Sequence, residues 1–318
     1  MPEFIFRKTS ELDKDEIAQI AMLFNAVFEK DRAPDNMLRQ YVNNPLGFSY
    51  HSLIVDNGNI VGMNVYVPVY YIVNGVKMLF ANSIDSMVAK PYRDFFNYND
   101  MVLTAYSNMK KEGVRFVYGY PNDNAYPVVI KSRLMKEIGK MRTYCLPLRI
   151  GALKPSMKAL NPVSSILCRA FVFLSGIFAS RKPDRYAISK EESSYNPSRY
   201  KRGDGNYNVE EMGGIKVYYK IKEHEGIRTA FLIDISEKSP KAFNIAVKHI
   251  IRNHCREFDL LLYPGWLDFS NTSMIRIPRR FEPKNFNLTG KALDKKAFDE
   301  TIWDIRNWDT NLSNYDLI

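Results

Sequence analysis

A chain of 318 residues, 46% hydrophobic and with a formal charge of +10, has the composition of a globular protein long enough for two cores, and this excludes fibrous and low-complexity classes. The three cysteines, Cys145, Cys168 and Cys255, lie far apart. They exclude a disulfide scaffold, and Arg7, Lys8 and Glu11 interrupt any N-terminal apolar run, so a reducing, cytoplasmic setting is expected. The basic charge concentrates between Lys131 and Arg202, a patch suited to an anionic ligand, a polyanion or an anionic membrane surface, or else a solvated basic face.

Ile17, Ile20, Ala21, Phe24, Val27 and Phe28 recur at helical spacing behind Ser10 as a cap, so a first helix is expected to run to about Lys30, with a shorter one over Asp35 to Tyr41. Between His51 and Val88 the pattern changes to β-branched and aromatic runs separated by Asn57-Gly58 and Asn74-Gly75. Such pairs supply the positive φ angles of tight hairpins, which predicts an antiparallel meander. Met101, Val102, Ala105, Tyr106 and Met109 then mark a helix ended by Gly113. Val114 to Tyr120 reads as a buried strand, Tyr126 to Met135 as a helix and Met141 to Leu148 as a closing strand.

From Gly151 to about Asp204 the chain is rich in Pro, Ser, Lys and Arg, with one apolar stretch from Ile166 to Ala179. That stretch falls short of the ~20 residues a bilayer span needs, and reads as a docking helix within a connector. Strands are expected again at Ile215 to Ile221 and Arg228 to Ile235, then a helix at Pro240 to Arg252 and a strand at Asp259 to Tyr263. A small helix near Ser273 to Arg280 and a strand near Phe286 to Leu293 complete the order. The organisation predicted is an N-terminal domain over 1–150, a basic connector over 151–204 and a C-terminal domain over 205–318. The fold class is mixed α/β (α+β), each domain a mostly antiparallel sheet flanked by helices.

Two segments carry a family resemblance. Asp85-Ser86-Met87-Val88-Ala89-Lys90-Pro91-Tyr92-Arg93 resembles the fourth strand and acyl-CoA loop of the GCN5-related N-acetyltransferases (GNAT), and Val117-Tyr118-Gly119-Tyr120-Pro121-Asn122-Asp123-Asn124-Ala125 resembles their fifth strand and N-x-x-A segment. The resemblance covers roughly residues 5 to 150, and the second half looks like a divergent copy, which implies two GNAT-like domains in tandem. It implies acyl transfer from acetyl-CoA or another acyl-CoA to an amine or hydroxyl of a small-molecule acceptor, such as a sugar or sugar nucleotide. The pantetheine arm would meet Met87 and Val88 where the two strands part. Arg93, Asp94, Phe95, Phe96, Asn97, Tyr98 and Asn99 would form the loop and helix start that receive the pyrophosphate, and Asn122 and Asn124 would be further contacts. The loop departs from the family in lacking both glycines, and Val129 stands where many members carry a tyrosine.

Acyl transfer needs a positioned thioester, a base and a proton donor for the departing thiolate. The resemblance makes Asp85 the candidate base, and Tyr120 or Tyr126 the donor in place of the missing tyrosine. The competing structural readings are a capping or ion-paired aspartate, packing tyrosines and a turn at Asn122 and Asn124. His51, His224, His249 and His254 show no ligand spacing, so neither a metal nor a covalent nucleophile is expected. Two alternatives share the fold: an aminoacyl-tRNA-dependent transferase similar to the Fem proteins, in which tRNA is the nucleic acid partner, and a catalytically inactive GNAT-fold binding protein. The aromatic and acidic segment Trp303, Trp308, Asp309 and Asp316 is expected to fold back over a cleft or to pack as an ordinary terminus, and the assembly to be a monomer or homodimer.

Overall fold

A computed structural model describes residues 2–200, 207–282 and 284–315. Residues 201–204 of the expected connector and Asp316 lie outside the described residues. The first half runs β1 (Glu3–Lys8), α1 (Lys14–Phe28), α2 (Pro34–Val42), β2 (Tyr50–Asp56), β3 (Asn59–Val73), β4 (Val76–Val88), α3 (Phe95–Lys111), β5 (Phe116–Gly119), α4 (Ala125–Lys131), β6 (Lys136–Lys140) and β7 (Arg142–Pro147). The second runs α5 (Asn161–Ile177), β8 (Ile188–Lys190), α6 (Glu192–Arg199), β9 (Asn208–Met212), β10 (Ile215–His224), β11 (Ile227–Ile235), α7 (Pro240–His254), β12 (Leu260–Gly265), β13 (Ile275–Arg276) and β14 (Asn287–Ala292).

Local chemistry explains most of these boundaries. The helix expected from Ser10 begins instead at Lys14, because Asp13 and Glu16 form a reciprocal capping box: the Asp13 side chain accepts from the Glu16 amide at 2.8 Å and Glu16 accepts from the Asp13 amide at 3.1 Å. Asn57, Gly58, Asn74 and Gly75 all adopt positive φ, as two-residue hairpin turns with the twist of the flanking strands require. Gly113 ends α3 at φ +86°. The small helix expected near Ser273 to Arg280 is instead the strand β13 followed by a single 3-10 turn, since Pro278 interrupts any helical run there.

Two compact units result, and neither is continuous in sequence. Of the described residues, unit 1 takes those within Met1–Gly139, Ala187–Gly205 and Phe286–Asn307, and unit 2 takes those within Lys140–Tyr186, Asn206–Asn285 and Trp308–Ile318. The segment expected to be a connector is thus divided between them. Unit 1 has the sheet order β1-β2-β3-β4-β5-β14-β6, with β8 paired to the far end of β3. Unit 2 has the order β13-β7-β12-β11-β10-β9. Each sheet contains a strand from the other half of the chain: β14 lies between β5 and β6, while β7, which follows β6 directly, pairs with β12. In both units one parallel pair, β4 with β5 and β11 with β12, interrupts the antiparallel order, and the helix between those strands, α3 or α7, packs on the sheet. Each unit has its own core, centred on Tyr66, Val102, Tyr106 and Val117 in unit 1 and on Tyr219, Phe243, Val247 and Leu261 in unit 2.

Candidate active site at the opening between β4 and β5

The parallel pairing of β4 with β5 is short. It runs from Phe80 opposite Phe116 to Ser83 opposite Gly119 and stops there, while β4 continues to Val88. Gly119 permits the last close approach, since a Cβ at that position would stand 3.2 Å from the Ser83 carbonyl oxygen; Tyr120 and Pro121 then carry the chain away. Along its other edge β4 stays paired with β3 as far as Val88 opposite Gly62. The Ala89 amide donates to Val61 of β3 at 2.8 Å. Peptide groups alternate sides along a strand, so the Val88 amide and carbonyl face the opening and the Met87 amide faces β3. Of the two amides named from sequence, Val88 supplies the group on the open edge.

A bulge sits at the same place. The β3–β4 register slips between Met63 and Val65, and Asp85 in the slipped segment adopts φ +45°, a left-handed conformation rare for residues other than glycine, asparagine and aspartate. Its carboxylate is nearly buried. Tyr41, from α2, donates to Asp85 Oδ2 at 3.0 Å, and the Arg32 guanidinium stands 3.9 Å from the same oxygen. Arg32 also donates to buried Gln40, and its guanidinium lies over the Phe24 ring at 5.3 Å. Across the bulge, Asn64 donates to the Tyr66 hydroxyl at 2.7 Å and accepts from Ser83 Oγ at 3.3 Å. Arg32, Gln40, Tyr41 and Asn64 were not singled out from the sequence. A buried carboxylate calls for such partners, but no local pattern says which residues α2 and its preceding loop deliver.

The loop beyond β4 is built by polar contacts. Arg93 Nε donates to the Val88 carbonyl at 2.7 Å and the Tyr92 hydroxyl to Asp56 at 2.7 Å. Asp94 caps α3: its carboxylate accepts from the Asn97 amide at 2.7 Å and from Asn97 Nδ2 at 2.6 Å. An anion already occupies the positive end of this helix, where a pyrophosphate would have to sit. Phe95 and Phe96 are exposed, edge to face with one another, and so are not buried in the opening. Tyr98 turns inward, its hydroxyl 3.4 Å from Ser86 Oγ, and burial raises its pKa. Asn99 is partly buried on the same helix.

On the β5 side, the Asn122 side chain accepts from the Asn124 and Ala125 amides at 3.1 and 2.9 Å, so it starts α4 as a turn residue does. Asn124 is exposed and its side chain makes no cap hydrogen bond. Tyr120 packs edge-on against Tyr118. The Tyr126 hydroxyl donates to Glu137, and burial followed by that carboxylate pushes the phenol up to about 12. Val129 is buried in the unit 1 core, so its position on α4 faces packing.

Residues 8–129, spanning α1 through most of α4 and therefore both edges of the opening, match the family model of an acetyltransferase (GNAT) domain. Unit 1 has the GNAT fold. Solved structures agree over nearly the whole chain. The first is a probable N-acyltransferase from Enterococcus faecalis, with TM-score 0.62 and 12% identity over 95% of this chain and 75% of that one. The GCN5-related N-acetyltransferase of Anabaena variabilis gives 0.60 and 10% over 92% and 73%, and that of Kribbella flavida 0.57 and 9% over 92% and 72%. At these identities the likeness is one of fold. No curated protein sequence matches the chain. The mixed α/β architecture with two mostly antiparallel sheets is consistent with two GNAT-like units.

The corresponding gap in unit 2 is occupied by the chain itself. The β11–β12 pairing ends at Phe231 opposite Leu262. Beyond it, Asn311 bridges to Gly265 of β12 and its Nδ2 donates to Asp234 of β11 at 2.9 Å. The Trp266 amide donates to the Thr310 carbonyl at 2.9 Å, and Trp308, Asn311 and Leu312 are buried. Of the segment expected to be a tail, Trp308 and Asp309 thus belong to a structural insert of unit 2, whereas Trp303 packs against Phe116 in unit 1. Among the described residues no group of three or more His, Cys, Asp or Glu side chains is arranged to hold a metal ion.

Proposed function

We propose that unit 1 is an acyltransferase site that moves an acyl group, acetyl in the simplest case, from CoA to an amine or hydroxyl of a small-molecule acceptor such as a sugar or sugar nucleotide. The observation that carries this reading is the open edge of β4 with the Val88 amide facing it, because a strand amide in such a position calls for a hydrogen-bonding ligand. Acyl-CoA supplies the activated carbonyl. Asp85 is the candidate base: it stands at the bulge with Tyr41 and Arg32 fixing one carboxylate oxygen, and it would accept the proton from the attacking amine or hydroxyl, directly or through water. Tyr120 and Tyr126 are the candidate donors to the departing thiolate, and the Tyr126 proton is now directed at Glu137. The reducing, cytoplasmic setting inferred from the scattered thiols accords with a thioester substrate. The test is thermal unfolding with acetyl-CoA and longer acyl-CoAs. A rise in Tm of several degrees at saturating ligand supports the site, and no rise with any of them removes it.

The Asp94 cap and the glycine-poor loop favour a second reading, in which the donor carries no pyrophosphate at α3. An aminoacyl-tRNA, as used by the Fem proteins, meets that condition, and binding of charged tRNA that weakens steeply with salt without any response to acyl-CoA would decide for it. A protein that responds to neither donor is a GNAT-fold binding protein without turnover.

A further inference from the structure

Helix α5 is inside out for a helix in water. The face turned to unit 2 carries Ser164, Cys168, Val172, Ser175 and Gly176, all buried or partly buried. Ile166, Leu167, Phe173, Leu174, Ile177 and Phe178 are each more than half exposed. A surface helix of a globular protein points its long apolar side chains at the core; here only Cys168 and Val172 enter the unit 2 core, flanked by serines and a glycine, and the long side chains project outward. An exposed apolar face of this extent marks an interaction surface.

The charge around the face says what covers it. Lys154 and Lys158 precede the helix, Arg169 lies within it, and Arg181, Lys182 and Arg185 follow it, all exposed. There is no Asp or Glu between Glu137 and Asp184. An apolar stripe bordered by lysine and arginine is the chemistry of a helix lying in the interface of an anionic bilayer. A second copy of this chain would bring two uncompensated basic borders together, which opposes association.

By length and composition the stretch Pro155–Ile177 could cross a membrane. Its packed face argues for lying flat instead. Asn244 donates to the Val172 carbonyl at 2.7 Å, Asn271 donates to the Ser175 carbonyl at 3.0 Å, and a Cβ at Gly176 would stand 2.4 Å from Asn244 Oδ1. These contacts fasten the helix along unit 2.

We propose that α5 docks unit 2 onto an anionic phospholipid surface, its apolar face entering the acyl boundary and the flanking lysines and arginines engaging the headgroups. This docking is independent of whether unit 1 transfers an acyl group.

The test is flotation of the full chain with vesicles of phosphatidylcholine alone and of phosphatidylcholine mixed with phosphatidylglycerol. Binding is expected to the anionic vesicles, weakening as salt is added, and to be slight on the neutral ones. The double substitution Ile166→Ser with Leu174→Ser is expected to lower partitioning at least tenfold with an unchanged Tm. Each basic residue near such a surface contributes about fivefold, so Arg181→Glu with Lys182→Glu is expected to lose roughly 25-fold or more. Absence of binding to the anionic vesicles overturns the proposal, as does binding that is insensitive to these substitutions. Two other results also overturn it: resistance to alkaline carbonate extraction, which indicates a spanning helix, and a dimer in sedimentation that the serine pair dissociates without any vesicle binding.

Discussion

Asp85 holds a backbone conformation that costs an ordinary L-residue about 1–2 kcal/mol, and it does so beside the open edge of β4 with Tyr41 and Arg32 on its carboxylate. Asparagine tolerates the same conformation, so Asp85→Asn is expected to keep Tm near that of the parent while lowering kcat by about 10²–10⁴-fold in an assay with a working acceptor; an unchanged kcat would remove Asp85 from the proton transfer. A second residue gives a pH signature. His51 is fully buried, and its Nε2 lies 2.9 Å from Thr9 Oγ1, which already donates to the Ser49 carbonyl and accepts the Ser49 amide. The imidazole must therefore be the donor in this pair, and burial lowers its pKa to about 3. An unfolded histidine takes up its proton below about 6.5. Between those values the unfolded chain binds more protons, so this group removes stability as pH falls, by up to about 1.4 kcal/mol per unit. Urea unfolding at a series of pH values is expected to show a shallower acid loss for His51→Gln than for the parent. At this scale the family resemblance drew attention to Asp85 as a candidate base and to Val129 at a position where many members carry a tyrosine. It could not show Arg32, Gln40 and Tyr41, because their approach to the bulge is decided by how α2 packs, and nothing in the local pattern encodes that.

At the scale of elements, α3 sets a conflict between stability and ligand. The Asp94 cap holds the first turn, so Asp94→Ala is expected to cost about 1 kcal/mol. Asp94→Asn keeps a capping oxygen and removes the charge that competes with a pyrophosphate, so it is expected to bind acyl-CoA several-fold more tightly, most clearly at low salt. Equal affinity in calorimetric titrations of the two proteins would show that the donor does not reach this helix end. Strand β14 carries a different constraint. A Cβ at Gly290 would stand 2.4 Å from the Phe116 ring, so Gly290→Ala is expected to lower stability by roughly 1–3 kcal/mol in thermal unfolding, with its effect on unit 1. The hairpins around β2, β3 and β4 and the helices α3 and α7 were legible because period and turn chemistry act within a short window. The short strands β1, β6 and β8 were missed, since pairing with a distant neighbour, rather than a strong run of their own, defines them, and β9, which pairs with β10 across the Gly213-Gly214 turn, has too polar a run to stand out.

The molecule as a whole is organised by exchange of strands between its halves. Sequence order suggested boundaries near 150 and 204, yet β7 completes unit 2 and β14 completes unit 1. Pairing across long separations leaves no trace in composition or periodicity, which is why the two-unit architecture could be read and its partition could not. A chain cut near residue 150 is expected to give two fragments that each lack a central strand and show little cooperative unfolding alone. Co-expressed, they are expected to recover a sharp transition by circular dichroism; independent folding of the first fragment would contradict the exchange. The arrangement also fixes an order of events on the ribosome. The sheet around the β4 opening stays incomplete until residue 292 has been synthesised and has left the exit tunnel, so the nascent first half cannot close its sheet until nearly all the second has been translated.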